Sequence, residues 1–570
     1  MSHIDWVVMV LAMIGVPSFG LWRGRRNRRN VNDYLLASKT MPWYAVGLSI
    51  MATQISAITF IATTGQAYVD GMRFVQFYFG LPVAMVILAS TSVPIFHRAG
   101  VYTAYEYLER RFDAKTRALT SIVFLISRGM AAGIAIYAPA IVMSAIFGWH
   151  DTVTIVIIGL VCVLYTTTGG IPAVTWTDVL QMSVIFSGLI LALITVISLM
   201  PHNVSFADAV YLAGSVGKLN VVDLKFDPNN RYNVWSGLFG GTFLFLGYFG
   251  CDQSQVQRFL TGKSIAQSRL SLLFNAMAKV PMQFFILFVG AMVFVFYLFN
   301  QPPLLFQRVA MTELAKQPGY TRIQTQFDDA FSRRMQAANS LNAARKAGDS
   351  AAMSHAKTDY QVAQRDADAA RSAGIRLYQK TDGQSGFSDT NYIFLSFVTK
   401  YFPIGFIGLV IAVIFTATMS SSSGELNSLA AVSVMDIYRR HFKPHASDYH
   451  YLIASRVFTA LWGVWAVAFA QYARHLGSLI EAVNQVGSYV YGVLLGTFTL
   501  GFFFSRVRGG SAFWALLIGE ATVIAIGRFT NIAFLWYNVI GAVVVVVSGV
   551  LISRLTPAAP PSLSSHADNR

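Results

Sequence analysis

The residues best suited to chemistry in this chain are uncharged oxygens. Thr416-Ala417-Thr418-Met419-Ser420-Ser421-Ser422-Ser423-Gly424-Glu425-Leu426-Asn427-Ser428 sets four consecutive serines inside an otherwise apolar stretch. At about 100° per residue, Ala417, Ser420, Ser421 and Gly424 share one helix face, and Ser423 lies near the Ser420 edge. Adjacent hydroxyls beside a freed carbonyl are weak neutral donors, suited to a hard cation held reversibly. The plainer use of such serines is close helix packing. Four in a row followed by Glu425 exceed what packing needs.

A second polar segment is Ser49-Ile50-Met51-Ala52-Thr53-Gln54-Ile55-Ser56-Ala57-Ile58-Thr59, followed by Thr63-Thr64-Gly65-Gln66. A helix interior this rich in Thr, Ser and Gln is expected to unwind locally and free backbone carbonyls. The alternative is that its hydroxyls bond their own i−4 carbonyls. Isolated charges in apolar stretches come next: Arg128, Lys279, Glu425, Glu520 and Asp178. A charge at membrane depth is a functional candidate by default, although Asp178 also fits a helix-terminal charge at the interface and Glu520 a structural pair. Glycines at 237, 240, 241, 247 and 250 interrupt a further apolar run that ends Tyr248-Phe249-Gly250-Cys251-Asp252-Gln253. No HExxH, P-loop or nucleophile-elbow pattern stands in a fitting context, so no covalent catalysis is expected and the chain is not read as an enzyme. Cys162 and Cys251 fall in separate apolar runs, which supports neither a disulfide nor a thiolate metal site.

These segments need elements that hold them in lipid. Of 570 residues, 55 % are hydrophobic and 12 % charged, the latter about half the share of a soluble domain. The formal net charge of +16 would suit nucleic acid, but such binders place clustered basic residues on a wet surface around an ordinary core. Apolar runs of about 20 residues override that reading. Thirteen are found, near 4–22, 41–68, 73–96, 118–147, 152–168, 174–200, 233–250, 271–299, 393–434, 449–472, 477–504, 511–527 and 530–553. Basic loops alternate with poor ones, which predicts an amino terminus outside and a cytoplasmic carboxyl tail; the segments from Arg98 to Arg117 and Arg258 to Arg269 count as cytoplasmic loops. The first span lacks a small-residue cleavage site and reads as a retained helix. Residues 305–390 carry 12 Lys/Arg and 9 Asp/Glu with no spanning stretch. They read as an outer helical hairpin, 322–347 and 351–373, broken at Gly348-Asp349-Ser350.

Spans 2 and 7 are both polar or Gly-interrupted and stand five apart, so equivalent helices run in opposite directions. Paired interrupted helices in two inverted halves point to the central site of a secondary transporter.

At these residues the chain resembles the sodium/solute symporter family, which includes sodium-coupled carriers of sugars, proline, sialic acid, monocarboxylates, vitamins and iodide. The likeness runs from about 32 to 555, excepting the insertion. Its most specific stretches are Tyr102 to Phe112 (YTAYEYLERRF), Gly169 to Gln181 (GGIPAVTWTDVLQ), Asp252 to Arg258 (DQSQVQR), and the span 9 run ending Met435-Asp436-Ile437-Tyr438. Ile136-Tyr137-Ala138-Pro139-Ala140-Ile141 looks closer to the monocarboxylate, vitamin and iodide branch. The resemblance implies an all-α membrane protein of about 13 transmembrane helices with a LeuT-type fold of two inverted five-helix repeats, one helix before them and two after. The expected organisation is 1–40 for the first helix and a basic loop, 41–200 for the first repeat, 201–232 for an outer loop, 233–304 for the start of the second repeat, 305–392 for the insertion, 393–504 for the rest of that repeat, 505–554 for two added helices and 555–570 for the tail.

Carried over, the family's shared sodium site matches the carbonyls of Ala52, Ile55 and Ala417 and the hydroxyls of Ser420 and Ser421. Some members have a second sodium site between an acid at the position of Asp178 and hydroxyls at those of Ser420, Ser423 and Gly424. The last is glycine here, so one ligand is missing. Substrate-lining positions correspond to Thr53, Gln54, Ser56 and Thr59, to Gln76 and to Asn484, while Tyr248 matches an aromatic that closes the inner side. Arg128 lies about one turn from an arginine that serves carboxylate-binding relatives, so substrate pairing is its expected role. The resemblance thus implies Na+-coupled import of a small polar organic solute, a sugar, sugar derivative or organic anion, across a bacterial inner membrane, with the lipid bilayer, Na+ and solute as partners, no nucleic acid and no obligatory protein partner. A transporter-like sensor would need a signalling domain beyond span 13. A channel would need a continuous polar pore, whereas the polar residues gather near spans 2, 7 and 9.

Overall fold

A computed structural model describes the chain except residues 1, 25–30, 56, 148, 383–386, 474 and 556–570; the side chains of 21, 24, 31–33, 38, 57, 58, 60, 145–147, 151, 165, 168–170, 381, 382 and 420 are also outside the described set. Among the described residues the regular structure is helical, apart from one isolated bridge between Met41 and Gly262. This is what lipid demands, because a helix satisfies its backbone donors and acceptors within one segment.

Ten helices among the described residues are long and apolar enough to cross a membrane, and Thr152–Leu164 and Ser236–Cys251 are shorter apolar helices. The thirteen expected stretches therefore do not appear as thirteen unbroken crossings. The stretch 41–68 is two helices, Trp43–Gln54 and Ala57–Asp70. The stretches 152–168 and 174–200 lie in one helical run, Asp151–Ser198. Its 48 residues would be about 72 Å long if straight, more than twice the roughly 30 Å hydrocarbon core. The stretch 393–434 divides into Thr390–Tyr401 and Phe406–Val432. Pro403 and Gly405 separate them: proline has no N–H to donate, and Gly405 adopts φ 88°, which a side chain disfavours.

The polar insertion forms two helices, Tyr320–Ala347 and Ser350–Asp382, longer than the sequence pattern suggests. Gly348 ends the first in the left-handed region at φ 71°, and its N–H donates to Arg345 O at 3.2 Å. Phe327 and Tyr378 of the hairpin share a small separate core with Leu304, Leu305, Ala310 and Leu314 of the segment before it. The hairpin docks on the helical body through Arg334 Nη2, which donates to Tyr297 O at 2.8 Å, and through Arg345, 2.9 Å from Asp208.

Candidate functional site

Two helices are broken, and the breaks position the site. Trp43–Gln54 stops where Ile55 leaves helical geometry at φ −103°, ψ 67°; its N–H still reaches Met51 O and Ala52 O, both at 3.1 Å. At the same break the Gln54 carbonyl accepts from Thr59 Oγ1 at 2.7 Å and from Lys279 Nζ at 3.4 Å. The second break falls between Gly241–Cys251 and Gln253–Leu260 at Asp252, whose ψ of 122° is extended. Its carboxylate caps the following half, accepting from Ser254 N at 2.8 Å and Ser254 Oγ at 2.6 Å.

This corrects the sequence reading in one respect. The glycines of 237–250 and Gly65 are not where the chain unwinds. They are places of close approach: a Cβ at Gly247 would stand 2.5 Å from Tyr491 O, one at Gly241 2.7 Å from Phe77 O, and one at Gly65 would collide with Thr390 O. Unwinding sits instead where a side chain takes over the freed groups.

Between the breaks lies a cavity of about 90 Å³. Thr53, Gln54, Thr59, Arg128, Tyr248 and Asn484 all line it, and Ser421 and Glu425 reach it from Phe406–Val432. Ser56 lies outside the described residues. Gln76 is elsewhere: its Oε1 accepts from Asp223 N at 2.9 Å and its Nε2 donates to Tyr232 O at 3.1 Å. That amide ties two loop segments together, and its polar atoms are not turned to the cavity. Within the lining, Thr53 Oγ1 donates to Ser49 O at 2.8 Å and Asn484 Nδ2 to Ile480 O at 2.7 Å, so both also serve their own helices.

The serine run behaves differently from its neighbours. Thr416 and Thr418 bond the carbonyls one turn back, Ala412 O at 2.8 Å and Ile414 O at 2.9 Å. Ser421 Oγ instead reaches across to Thr53 O at 3.4 Å, beside the first break. Ser421 therefore meets the backbone of the broken helix at Thr53, the residue after Ala52 and two before Ile55, with Ala417 one turn away on its own helix face. The Ser420 side chain is outside the described residues. Such an all-neutral oxygen set fits a singly charged hard cation.

Three of the isolated charges, Arg128, Glu425 and Asp178, have found partners that spacing did not reveal, whereas Glu520, expected to form a structural pair, makes no ion pair among the described residues. Arg128, 3 % exposed, pairs with Asp252, donates to Glu425 Oε1 at 3.1 Å and to Tyr491 Oη at 2.7 Å, and lies over the Tyr248 ring at 5.3 Å. Two carboxylates thus already neutralise the guanidinium expected to pair with substrate. Asp252 is legible from the sequence as a helix cap, but Tyr491 carries no sequence signal. Lys279 is fully buried and meets no carboxylate among the described residues; its ammonium faces Gln54 O and, at 5.6 Å, the Tyr78 ring. Asp178 is not an interfacial helix-end charge. It is wholly buried and paired with Arg258 at 2.7 Å.

With this geometry in view, comparison with known proteins is decisive. The profile of the sodium:solute symporter family matches residues 34–316 and 384–519. The chain belongs to the sodium:solute symporter family. The unmatched interval between them contains the whole of the Tyr320–Ala347 and Ser350–Asp382 hairpin. Mouse sodium-coupled monocarboxylate transporter 2 is 26 % identical over 531 residues, spanning 92 % of this chain and 72 % of that protein. Human sodium/iodide cotransporter is 31 % identical over 310 residues, 54 % of this chain and 47 % of its own length. A solved substrate-bound, outward-open structure of a Na+-coupled sialic acid symporter superposes with a TM-score of 0.75 at 23 % identity, covering 97 % and 98 % of the two chains. At that identity the likeness is one of fold, and the fold is LeuT-like. As a symporter of this family the chain is a sodium-coupled transporter of small solutes and not an enzyme.

The symporter's four most distinctive stretches converge in space. Ala104 N donates to Gln253 Oε1 at 2.9 Å, and Tyr105 Oη to Cys251 O at 3.1 Å, so Tyr102–Phe112 clasps the second break. Thr103 Oγ1 donates to Asp436 Oδ1 at 2.7 Å, and Arg117 pairs with both Asp436 and Glu109. Gln181 Nε2 donates to Thr416 O at 2.6 Å. Arg117 and Arg258, counted as loop charges in the sequence, are therefore buried at 7 % and 2 % exposure and bind helices together. Loop charge is inferred from position along the chain, whereas depth depends on how far a half-helix such as Gln253–Leu260 enters the bundle.

Proposed function

We propose that this symporter imports a small polar organic solute with Na+ by alternating access, binding both at the first break. The observation that carries the reading is Ser421: alone of the hydroxyls just described, it crosses to the backbone of the broken helix. Ala52, Ile55, Ala417, Ser420 and Ser421 would hold the ion, and Thr53, Gln54, Thr59, Tyr248 and Asn484 would meet the solute. With sodium at the break, the halves Trp43–Gln54 and Ala57–Asp70 are held in one relative orientation, completing the wall that the solute touches. Release follows when the end near Tyr248 opens. The basic loops support an orientation with the amino terminus outside and the carboxyl terminus cytoplasmic, in a bacterial inner membrane.

The charge balance bears on the solute. The charged residues that line the cavity, Arg128 and Glu425, are paired with each other, so a neutral polar solute meets no unpaired charge there. An anionic solute, the kind that the monocarboxylate, iodide and sialic acid relatives suggest, would meet no unpaired cation in the cavity lining, where Arg128 is held by Asp252 and Glu425; Lys279 stands behind that lining with its ammonium on Gln54 O. A tenfold sodium gradient and a membrane potential of about 100 mV together supply about 3.7 kcal/mol, roughly 500-fold accumulation of a neutral solute at one-to-one coupling. The test is uptake into proteoliposomes of a panel of sugars, amino acids and organic acids, with and without an inward sodium gradient. Concentrative uptake that requires sodium is expected. Uptake of every active solute at equal rates without sodium would overturn the proposal.

A further inference from the structure

Between the hairpin and the helical body lies a second cavity, of about 350 Å³, which shares no lining residue with the cavity at the first break. Tyr68 and Val69 reach it from the last turn of Ala57–Asp70, roughly 18 Å along that half-helix from Ala57. Three cations line it, Lys218, Arg334 and Arg371, against two carboxylates, Asp368 and Asp389, an excess of one positive charge. The carboxylates are already engaged. Asp389 accepts from Arg371 Nη2 and from Phe306 N, both at 2.7 Å, and Asp368 accepts from Gln364 Nε2 at 2.8 Å. Lys218 and Arg334, only 8 % and 5 % exposed, form no ion pair among the described residues. Their donors are partly unused. Lys218 Nζ donates to Val69 O and stands 4.8 Å from the centre of the Phe294 ring. Arg334 donates through Nη2 to Tyr297 O at 2.8 Å and through Nη1 to Gln364 Oε1 at 3.4 Å, while its Nε has no hydrogen-bond partner among the described residues. A buried cation without a counter-ion is costly until something supplies one.

We propose that this cavity binds a small organic carboxylate, held by Lys218 and Arg334, at a site separate from the transport cavity. The guanidinium fork and the spare ammonium hydrogens match the two oxygens of a carboxylate. Phe294, Phe327, Ile375 and Phe387 give the wall an apolar stretch for a short hydrocarbon tail, and a cavity of this volume takes a small molecule, more than a lone halide fills. The transport cavity offers the opposite environment, since its one lining cation, Arg128, is paired with carboxylates. Arg334, Gln364, Asp368 and Arg371 all fall in the interval that the family profile leaves unmatched, so the site comes with the hairpin and not with the shared fold. A bound carboxylate would touch the hairpin and the end of Ala57–Asp70 together, fastening one to the other.

The test is saturation-transfer NMR of butyrate with the purified full chain in lipid nanodiscs, in sodium-free Tris–HEPES buffer, with empty nanodiscs as the blank. Saturable binding is expected, weakened roughly 10- to 100-fold in Lys218→Met and in Arg334→Gln, each of which removes a charged donor. Arg333→Gln removes an exposed charge at the neighbouring position, where the side chain is 61 % exposed, and should bind within about twofold of the parent. No binding above the blank would overturn the proposal. Binding that Lys218→Met and Arg334→Gln leave unchanged would also overturn it, because the butyrate would then lie elsewhere. An equal loss in Arg333→Gln would do the same, since the signal would follow the general charge of the hairpin and not the cavity. Chloride at the same concentration should displace little butyrate; complete displacement would overturn the carboxylate class in favour of an inorganic anion. If Arg334→Gln does not fold, Lys218→Met decides alone, because it keeps the docking bonds of Arg334 to Tyr297 O and of Arg345 to Asp208.

Discussion

Replacing Ser421 with alanine removes one oxygen from the proposed sodium site and changes little else. The side chain is 1 % exposed, and its hydroxyl bonds Thr53 O at 3.4 Å, longer than a strong hydrogen bond. The fold therefore loses little. The ion loses more, because a dipole facing a charge in a dry site contributes about 1.5–3 kcal/mol. At about 1.4 kcal/mol per decade, the sodium concentration for half-maximal uptake should rise roughly 10- to 100-fold. Ser422 is the matched control. It is fully buried one residue away, and its Oγ has no hydrogen-bond partner among the described residues. Ser422→Ala removes a buried unsatisfied group, so it should leave sodium activation within about twofold of the parent and leave stability unchanged or higher. Sodium activation of uptake in proteoliposomes, measured for both variants beside the parent, separates them. Equal shifts in the two, or a Ser421→Ala curve that overlays the parent, would refute the argument from geometry.

Other consequences are as definite. Arg128→Gln leaves Asp252 and Glu425 buried without their counter-charge, which costs about 3–5 kcal/mol; thermal unfolding should show a marked fall in Tm, partly recovered by adding Asp252→Asn, and an unchanged Tm would contradict the pairing. Gly65→Ala drives a Cβ into Thr390 O, a backbone atom that cannot swing away, so a loss of about 1–3 kcal/mol is expected in the same assay. Lys218, in the segment after Phe206–Ser215, is pushed by burial from 10.5 to about 8. The unfolded chain then holds more protons than the folded one between those values, so the cost of the buried charge is full below about pH 8 and fades as pH rises toward 10. The difference in Tm between parent and Lys218→Met should narrow over that range, and a constant difference would count against it.

Much of this symporter could be read in the chain because polar residues at membrane depth are costly and therefore conspicuous. The serine run, the Thr- and Gln-rich segment of 49–66, Arg128, Asp178, Lys279 and Glu425 all stand out against apolar surroundings, and the helical class follows from lipid's demand for internal hydrogen bonds. The two interrupted helices were legible too, though the second break lies at Asp252 and not at the glycines, since glycine permits close approach as readily as unwinding. What pairs with what was not legible. Arg128 and Asp252 are 124 residues apart, Arg117 and Asp436 319, and Asp178 and Arg258 80. Charges so distant in sequence meet only when the helices that carry them pack together. The same packing turned Gln76 away from the cavity and neutralised Arg128. Composition and periodicity report the cost of each polar group, one residue at a time; the partner that offsets that cost is a property of three-dimensional packing.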